Sequence, residues 1–191
     1  HNALTTAEMA VGLLIAAARG LVDADRQLRK GHWYGRMDDH RNTLLGGKQA
    51  VILGYGQIGQ HVERILNAMG VKTVGIGRSR FSELDEALSQ SHALVICAPL
   101  TPETRDVIDA RRIALLRPPR LLVNVGRGSI VDETALFEAC RDRILFAAGI
   151  DTWYTYPGNE DTAPIWPSRH PFHELPNVVM SPHRGGDGDD T

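Results

Sequence analysis

The sequence predicts a three-layer α/β fold, a doubly wound parallel sheet covered by helices on both faces. Three observations carry this. Short runs apolar at every position alternate with helical patterns for most of the 191 residues, as buried parallel strands and their crossover helices do. Gly54, Gly56 and Gly59 stand in G-x-G-x-x-G spacing between one such run and an amphipathic segment. Polar residues gather just after the runs, where open α/β sheets bind ligands, beyond the carboxyl ends of the strands.

Taken in order, Thr5 with Glu8 reads as a capping box, an N-cap hydroxyl with an acid three residues on. It opens a helix to about Arg19 that Gly20 can end. Ala10, Gly12, Ala16 and Ala17 give this helix a face of small residues suited to close packing. Residues 23–30 read as a second short helix stopped at Gly31, and 32–42, polar with Trp33 and Tyr34, as a loop. Residues 50–53 form the first strand. The helix over 58–69 sets Val62, Ile65, Leu66 and Met69 on one face. Residues 72–76 are the second strand, and Ser82 is a candidate cap for a helix over 83–89. The third strand, 93–98, is stopped by Pro99. A helix over 109–116 is ended by Pro118-Pro119. The fourth strand, 121–125, runs into the tight loop Gly126-Arg127-Gly128, after which Asp132 caps a helix to about Cys140. Residues 145–149 and 177–180 are the fifth and sixth strands. The stretch 155–175 is proline-rich and irregular, as functional loops and linkers are.

Composition excludes several classes. Hydrophobic residues at 42% and charged residues at 23% are ordinary for a globular protein. A net charge of −2 gives no case for nucleic acid or an acidic membrane surface. Cys97 and Cys140 form no Cys-x-x-Cys pair and suggest no disulfide framework, so a reducing, cytoplasmic setting is expected. The longest apolar run, 9–18, falls short of the about 20 residues that span a bilayer and lacks a signal peptide's basic flank. The start at His1 and the polar end Gly-Gly-Asp-Gly-Asp-Asp-Thr suggest a chain cut from something longer. The segment His170-Pro171-Phe172-His173-Glu174 has no further ligand cluster at metal spacing, so no metal site is expected. Cys97, at a strand end without a local base, reads as core.

The three glycines have separate physical jobs. Gly54 permits the tight strand-to-helix turn, Gly56 lets backbone approach a pyrophosphate, and Gly59 lets helix and strand pack closely. Gln57 and Ile58 complete the turn whose free N–H groups, at the positive end of the helix dipole, favour anions. Along the same edge Arg127 can grip a carboxylate with two parallel hydrogen bonds, His183 can move a proton near neutral pH, and Asp151 can accept from an amide. Singly, each also has a plainer role. Arg127 could anchor a loop, Asp151 could cap a turn, and His183 could satisfy nearby carbonyls.

Five ordered motifs extend this picture: Gly-Tyr-Gly-Gln-Ile-Gly at 54–59, Pro-Leu-Thr-Pro-Glu-Thr at 99–104, Asn-Val-Gly-Arg-Gly-Ser-Ile-Val-Asp at 124–132, Gly-Ile-Asp at 149–151 and Ser-Pro-His-Arg-Gly-Gly at 181–186. Over nearly its whole length the chain resembles the nucleotide-binding, Rossmann-type domain of the D-isomer-specific 2-hydroxyacid dehydrogenases. The resemblance implies hydride transfer between NAD(P)(H) and a small 2-oxo or 2-hydroxy acid. Arg127 would orient the substrate's carboxylate and carbonyl, His183 would be the general acid/base, and Asp151 would face the nicotinamide carboxamide. Further cofactor contacts are expected from Ala98, Pro99 and Thr104 after the third strand, from Val125 and Gly126 after the fourth, and from Gly185. It implies a separate substrate domain not supplied by residues 1–191, and dimers joined through this domain, which the apolar, small-residue helix over 5–19 would suit. Two rival readings are a cofactor-sensing corepressor, which would not need both Arg127 and His183, and another Rossmann enzyme such as a methyltransferase, which would fit the glycine loop alone.

Two departures from the family pattern stand out. Most members carry a glutamate about five residues after the aspartate matching Asp151, bonded to the catalytic histidine. Tyr156 stands here, with Glu160 and Asp161 near in sequence. Without a carboxylate partner an imidazolium is less favoured and the pH optimum is expected to fall. At the end of the second strand an NAD enzyme usually has an acid for the ribose 2′-OH. This sequence has Gly77, followed by Arg78-Ser79-Arg80, two guanidinium groups and a hydroxyl suited to a 2′-phosphate. NADP is therefore the expected cofactor, with NAD second.

Overall fold

A computed structural model describes residues 2–33, 42–158 and 163–188. Most of the loop expected at 32–42, the alternative carboxylates Glu160 and Asp161, and the last three residues lie outside the described residues.

The sheet has six parallel strands: β1 (Gln49–Leu53), β2 (Lys72–Ile76), β3 (Ala93–Ile96), β4 (Leu121–Asn124), β5 (Ala147–Ile150) and β6 (Val178–Met180), in the spatial order β2-β1-β3-β4-β5-β6. The chain winds outward from β1 in both directions, so the topological switch point lies between β1 and β3. The helices are α1 (Ala3–Arg19), α2 (Leu21–Leu28), α3 (Gln57–Ala68), α4 (Leu84–Ser89), α5 (Ala110–Leu115) and α6 (Glu133–Arg141). The period of two along each strand divides the core. Ala50, Ile52, Val95, Leu121 and Val123 join α1 and α3 on one face. Val51, Leu53, Leu94, Ile96 and Leu122 join α4, α5 and α6 on the other. This is why the strands read as apolar throughout: alternate residues serve opposite layers.

Several boundaries differ from the sequence reading. Helix α1 begins two residues before Thr5. The Thr5 and Thr6 hydroxyls both donate to the Asn2 carbonyl, so Thr5 is a residue of the first turn and not its cap. Gly20 ends α1 in the left-handed region at φ 59, and α2 starts at the very next residue. Ser82 caps nothing. The chain instead makes a 3₁₀ turn over Arg78–Glu83, and α4 follows without a side-chain cap. Met69 lies past the end of α3 and is exposed, while Val62 and Leu66 are fully buried. Asp132 does cap α6, accepting from Ala135 N at 2.7 Å, and Asp109, read as the first helical residue, proves to be the cap of α5, accepting from Arg112 N at 2.8 Å.

The apolar character of α1 has an internal explanation. The helix packs on α3, β4 and β5 and buries Ala7, Ala10, Val11, Leu13, Leu14, Ala17 and Ala18. A methyl group at Gly149 would come within 2.8 Å of Leu13 Cβ, so the glycine in β5 admits the helix to the sheet. Of the four small residues that suggested a dimer face, Ala10 and Ala17 are buried inside the domain, Ala16 is half-buried and Gly12 is exposed. Among the described residues no single helix is long and apolar enough to cross a membrane.

Candidate functional site

The loops leaving the carboxyl ends of the strands pack into one rim. Gly54 sits at φ +96, and a Cβ there would lie 2.3 Å from Ala98 N. Gly59 backs onto the same turn, where a Cβ would fall 2.5 Å from Gly54 O. Gly56 differs: an added Cβ would meet nothing within 4 Å. Helix α3 starts beside it with no side-chain cap, so the first amides of the helix, from Gln57 and Ile58 on, have no intrahelical acceptor. Two glycines close the turn and the third leaves open space beside free N–H groups. A pyrophosphate fits that arrangement.

The rim continues across β3 and β4. The Thr104 hydroxyl donates to Pro99 O at 2.8 Å and accepts from Thr101 N at 2.7 Å, which closes the loop after β3 on itself. A Cβ on Gly126 would lie 2.6 Å from Ala98 O, so this loop also approaches backbone to backbone, next to the buried Val125. Asn124 shapes it. Its Oδ1 accepts from Gly126 N at 3.0 Å and its Nδ2 donates to Arg127 O at 2.9 Å. The sequence reading gave Asn124 no role. A short amide at the end of an apolar strand, two residues before a glycine, is the signal for such a turn. Arg127 extends outward from it, exposed, donating one N–H to Gly126 O at 2.7 Å.

At β5 and β6 two residues hold the segment that carries His183. Asp151 is buried, and its two oxygens accept from Arg184 N at 2.9 Å and Gly185 N at 2.8 Å. Trp153 is buried against Phe172 and donates from Nε1 to Ser181 O at 2.8 Å. A Cβ on Gly128 would come within 2.2 Å of Trp153 O, which joins the Arg127 loop to the same block. His183 itself is exposed and held at φ 60, a backbone region that non-glycine residues seldom adopt. Tyr156 takes the place beside it. The ring centroids are 5.4 Å apart, and the Tyr156 hydroxyl accepts from Trp153 N at 2.9 Å.

The loop after β2 borders an open cleft of about 780 Å³ shared with Tyr55, Glu63, Thr73 and Gly75. The Tyr55 ring lies on Gly75, where a side chain would collide with it, and its hydroxyl bonds Glu63. The two arginines expected to act together here do not stand alike. Arg80 forms an ion pair with Glu83, Nη2 to Oε2 2.6 Å, and donates from Nη1 to Gly75 O at 3.1 Å. Hydrogen bonding to Arg80 holds the Glu83 carboxyl below its usual range. The Arg78 side chain makes no hydrogen bond or ion pair among the described residues. It contributes a minor part of the lowering at Glu103, which comes first from the Thr101 hydroxyl and then from Glu103's own backbone.

Burial pushes the Cys97 and Cys140 thiols up to about 12, which suits core residues. His170 stacks on Phe137 at 4.8 Å and His173 on Trp166 at 3.9 Å. Among the described residues no group of three or more His, Cys, Asp or Glu side chains is placed to hold a metal ion.

A parallel sheet with a glycine cradle at its switch point and an uncapped helix N-terminus beside it defines a dinucleotide-binding α/β domain of the Rossmann class. The chain belongs to the D-isomer specific 2-hydroxyacid dehydrogenase family, as its NAD binding domain, with residues 11–185 matching. It is 35% identical over 196 residues to glyoxylate reductase of Thermococcus onnurineus, covering 94% of this chain and 56% of the relative. It is 30% identical to D-3-phosphoglycerate dehydrogenase of Methanocaldococcus jannaschii, covering 96% of this chain and 35% of the relative. Among solved structures, an acyclic imino acid reductase (Bsp5) in complex with NADPH and D-Arg superposes with a TM-score of 0.83 at 26% identity, covering 97% of this chain and 59% of that one. The chain thus spans about half the length of the reductases it matches, the part that binds a nicotinamide dinucleotide.

Proposed function

We propose that the whole protein is an NADP(H)-preferring 2-oxo-acid reductase or 2-hydroxy-acid dehydrogenase. The observation that carries this is the pinned His183 segment on the same rim as the glycine cradle and the outward Arg127. Strands β4 and β6 are separated only by β5, so at about 4.8 Å per strand their ends lie roughly 10 Å apart, a gap on the scale of a small acid. The bound nicotinamide would supply the hydride acceptor or donor. Arg127, with most of its N–H donors free among the described residues, would grip the substrate carboxylate and polarise its carbonyl. His183 would give or take the proton at the substrate oxygen. Asp151, already holding the loop amides of Arg184 and Gly185, keeps lone pairs with which to accept from the carboxamide.

Steady-state assays of the full-length protein against a panel of 2-oxo acids test the activity, and absence of turnover with every one of them would sink it. Residues 1–191 alone should bind nucleotide and show no turnover, because they form one wall of the cleft. Robust reduction by this piece would overturn that expectation.

Cofactor preference rests on Gly77, which offers nothing to a free 2′-OH and nothing to repel a phosphate. A Cβ there would meet only Tyr55 Cβ at 3.8 Å, at an ordinary φ of −96, so Gly77→Asp introduces a carboxylate without strain. A hydrogen bond to a charged group contributes about 1.5–3 kcal/mol, and 1.4 kcal/mol is tenfold. The variant should lose NADPH affinity by about tenfold or more and gain NADH, read by nucleotide fluorescence. Unchanged preference would show that residue 77 does not face the ribose.

A further inference from the structure

We propose that Arg78 alone takes the 2′-phosphate of NADP(H), and that Glu83 withholds Arg80 from it, which makes Glu83 a determinant of cofactor selectivity. This rests on the NADP reading above and deepens it. In sequence Arg78 and Arg80 look equivalent, two cations flanking Ser79. The 3₁₀ turn separates their roles. It breaks at Arg80 (φ −113, ψ 16), and across that break Arg80 meets Glu83. The guanidinium is held on two sides: Nε lies 3.1 Å from both Glu83 oxygens and Nη2 2.6 Å from Oε2, while Nη1 donates to Gly75 O in the edge strand β2. This fork is the geometry a phosphate would need, and a carboxylate of the same chain already occupies it. Arg78 is two residues nearer the end of β2, is exposed, and has no such partner among the described residues.

The pair is at the surface, where ion pairs are weak individually, so Glu83 sets a competition and not a block. Removing its charge frees a second cation at the mouth of the same cleft. The carboxylate also bears directly on the ligand, since a negative charge beside the phosphate site repels it.

The experiment measures NADPH and NADH affinities of the full-length protein at two ionic strengths for the wild type, Arg78→Ala, Arg80→Ala, Glu83→Gln and the Glu83→Gln/Arg80→Ala double variant. Arg78→Ala should weaken NADPH about tenfold or more and leave NADH unchanged. Arg80→Ala should change NADPH by less than about threefold. Glu83→Gln should tighten NADPH by about threefold, with a steeper salt dependence, and the double variant should lose most of that gain. If the wild type prefers NADPH and Arg80→Ala costs as much as Arg78→Ala, or Glu83→Gln changes nothing, the division of roles is wrong while the cofactor reading stands. If the wild type binds NADH as tightly as NADPH, the cofactor reading itself fails.

Discussion

His183→Ala in the full-length protein should lower kcat for 2-oxo-acid reduction by about 10²–10⁴-fold, the usual worth of a positioned general acid, with a much smaller change in nucleotide affinity. The histidine is exposed, so its truncation leaves no buried cavity, and the segment around it is held by backbone bonds to Asp151 and Trp153 that the substitution does not touch. Loss of rate would therefore report chemistry and not collapse. Arg127→Lys should also cost far more than its conserved charge suggests. Lysine cannot present the planar fork that meets a carboxylate with two bonds, and it loses the bond to Gly126 O that aims the arginine. The expected signature is a raised KM for the acid together with a lower kcat. Normal rates in both variants would mean that the assigned residues do not line the reacting centre.

Gly54→Ala should destabilise the domain by about 3 kcal/mol or more, at the upper end of what overpacking costs. The methyl group would fall 2.3–2.6 Å from three backbone atoms of residues 97 and 98, which no rotamer change can relieve, and the position has φ +96. At about 2–4 °C per kcal/mol for a chain of this size, Tm should drop by roughly 10 °C. Gly56→Ala is the matched control. It has open space and an ordinary negative φ, so Tm should move by no more than about 2 °C while dinucleotide binding weakens, because the methyl group occupies the ligand's space. A wild-type Tm for Gly54→Ala would contradict the close approach of the β1 and β3 loops. Unaltered nucleotide affinity for Gly56→Ala would remove the cradle from the cofactor site.

The fold was legible because its signal is carried by many residues at once. Each inner strand is apolar at every position, and this pattern has few readings besides a sheet covered on both sides. Where a single side chain had to be read, the outcome depended on competition with the backbone. Asp132 caps as expected, and Asp109, read only as the first residue of its helix, also caps, since each stands three residues before the amide it meets. Thr5 and Ser82 have the right chemistry at positions that tertiary packing placed elsewhere: α1 had already begun at residue 3, and the chain around Ser82 coils into a 3₁₀ turn. At the site, Arg127, Asp151 and His183 follow strands that the structure does set side by side on the rim. Motif matching missed the supporting contacts. Asn124 builds the Arg127 turn and Trp153 joins three loops, yet each acts through its partners' main chain, which carries no residue-specific mark in the sequence. The Arg80–Glu83 pairing was within reach, because the three-residue spacing is visible, but only once the path of the turn is known.

The way the rim is joined has a mechanical consequence. Gly54 abuts Ala98, Gly126 abuts Ala98, Gly128 abuts Trp153, and Gly185 packs on the Asp151 carboxylate. Four of the six loops, those after β1, β3, β4 and β5, thus interlock main chain against main chain, and the loop after β6 is clamped by a buried acid. Such contacts have almost no compliance, since peptide planes cannot change rotamer to absorb a displacement. These five loops therefore behave as one stiff plate. The alignment of its parts is set before any ligand arrives.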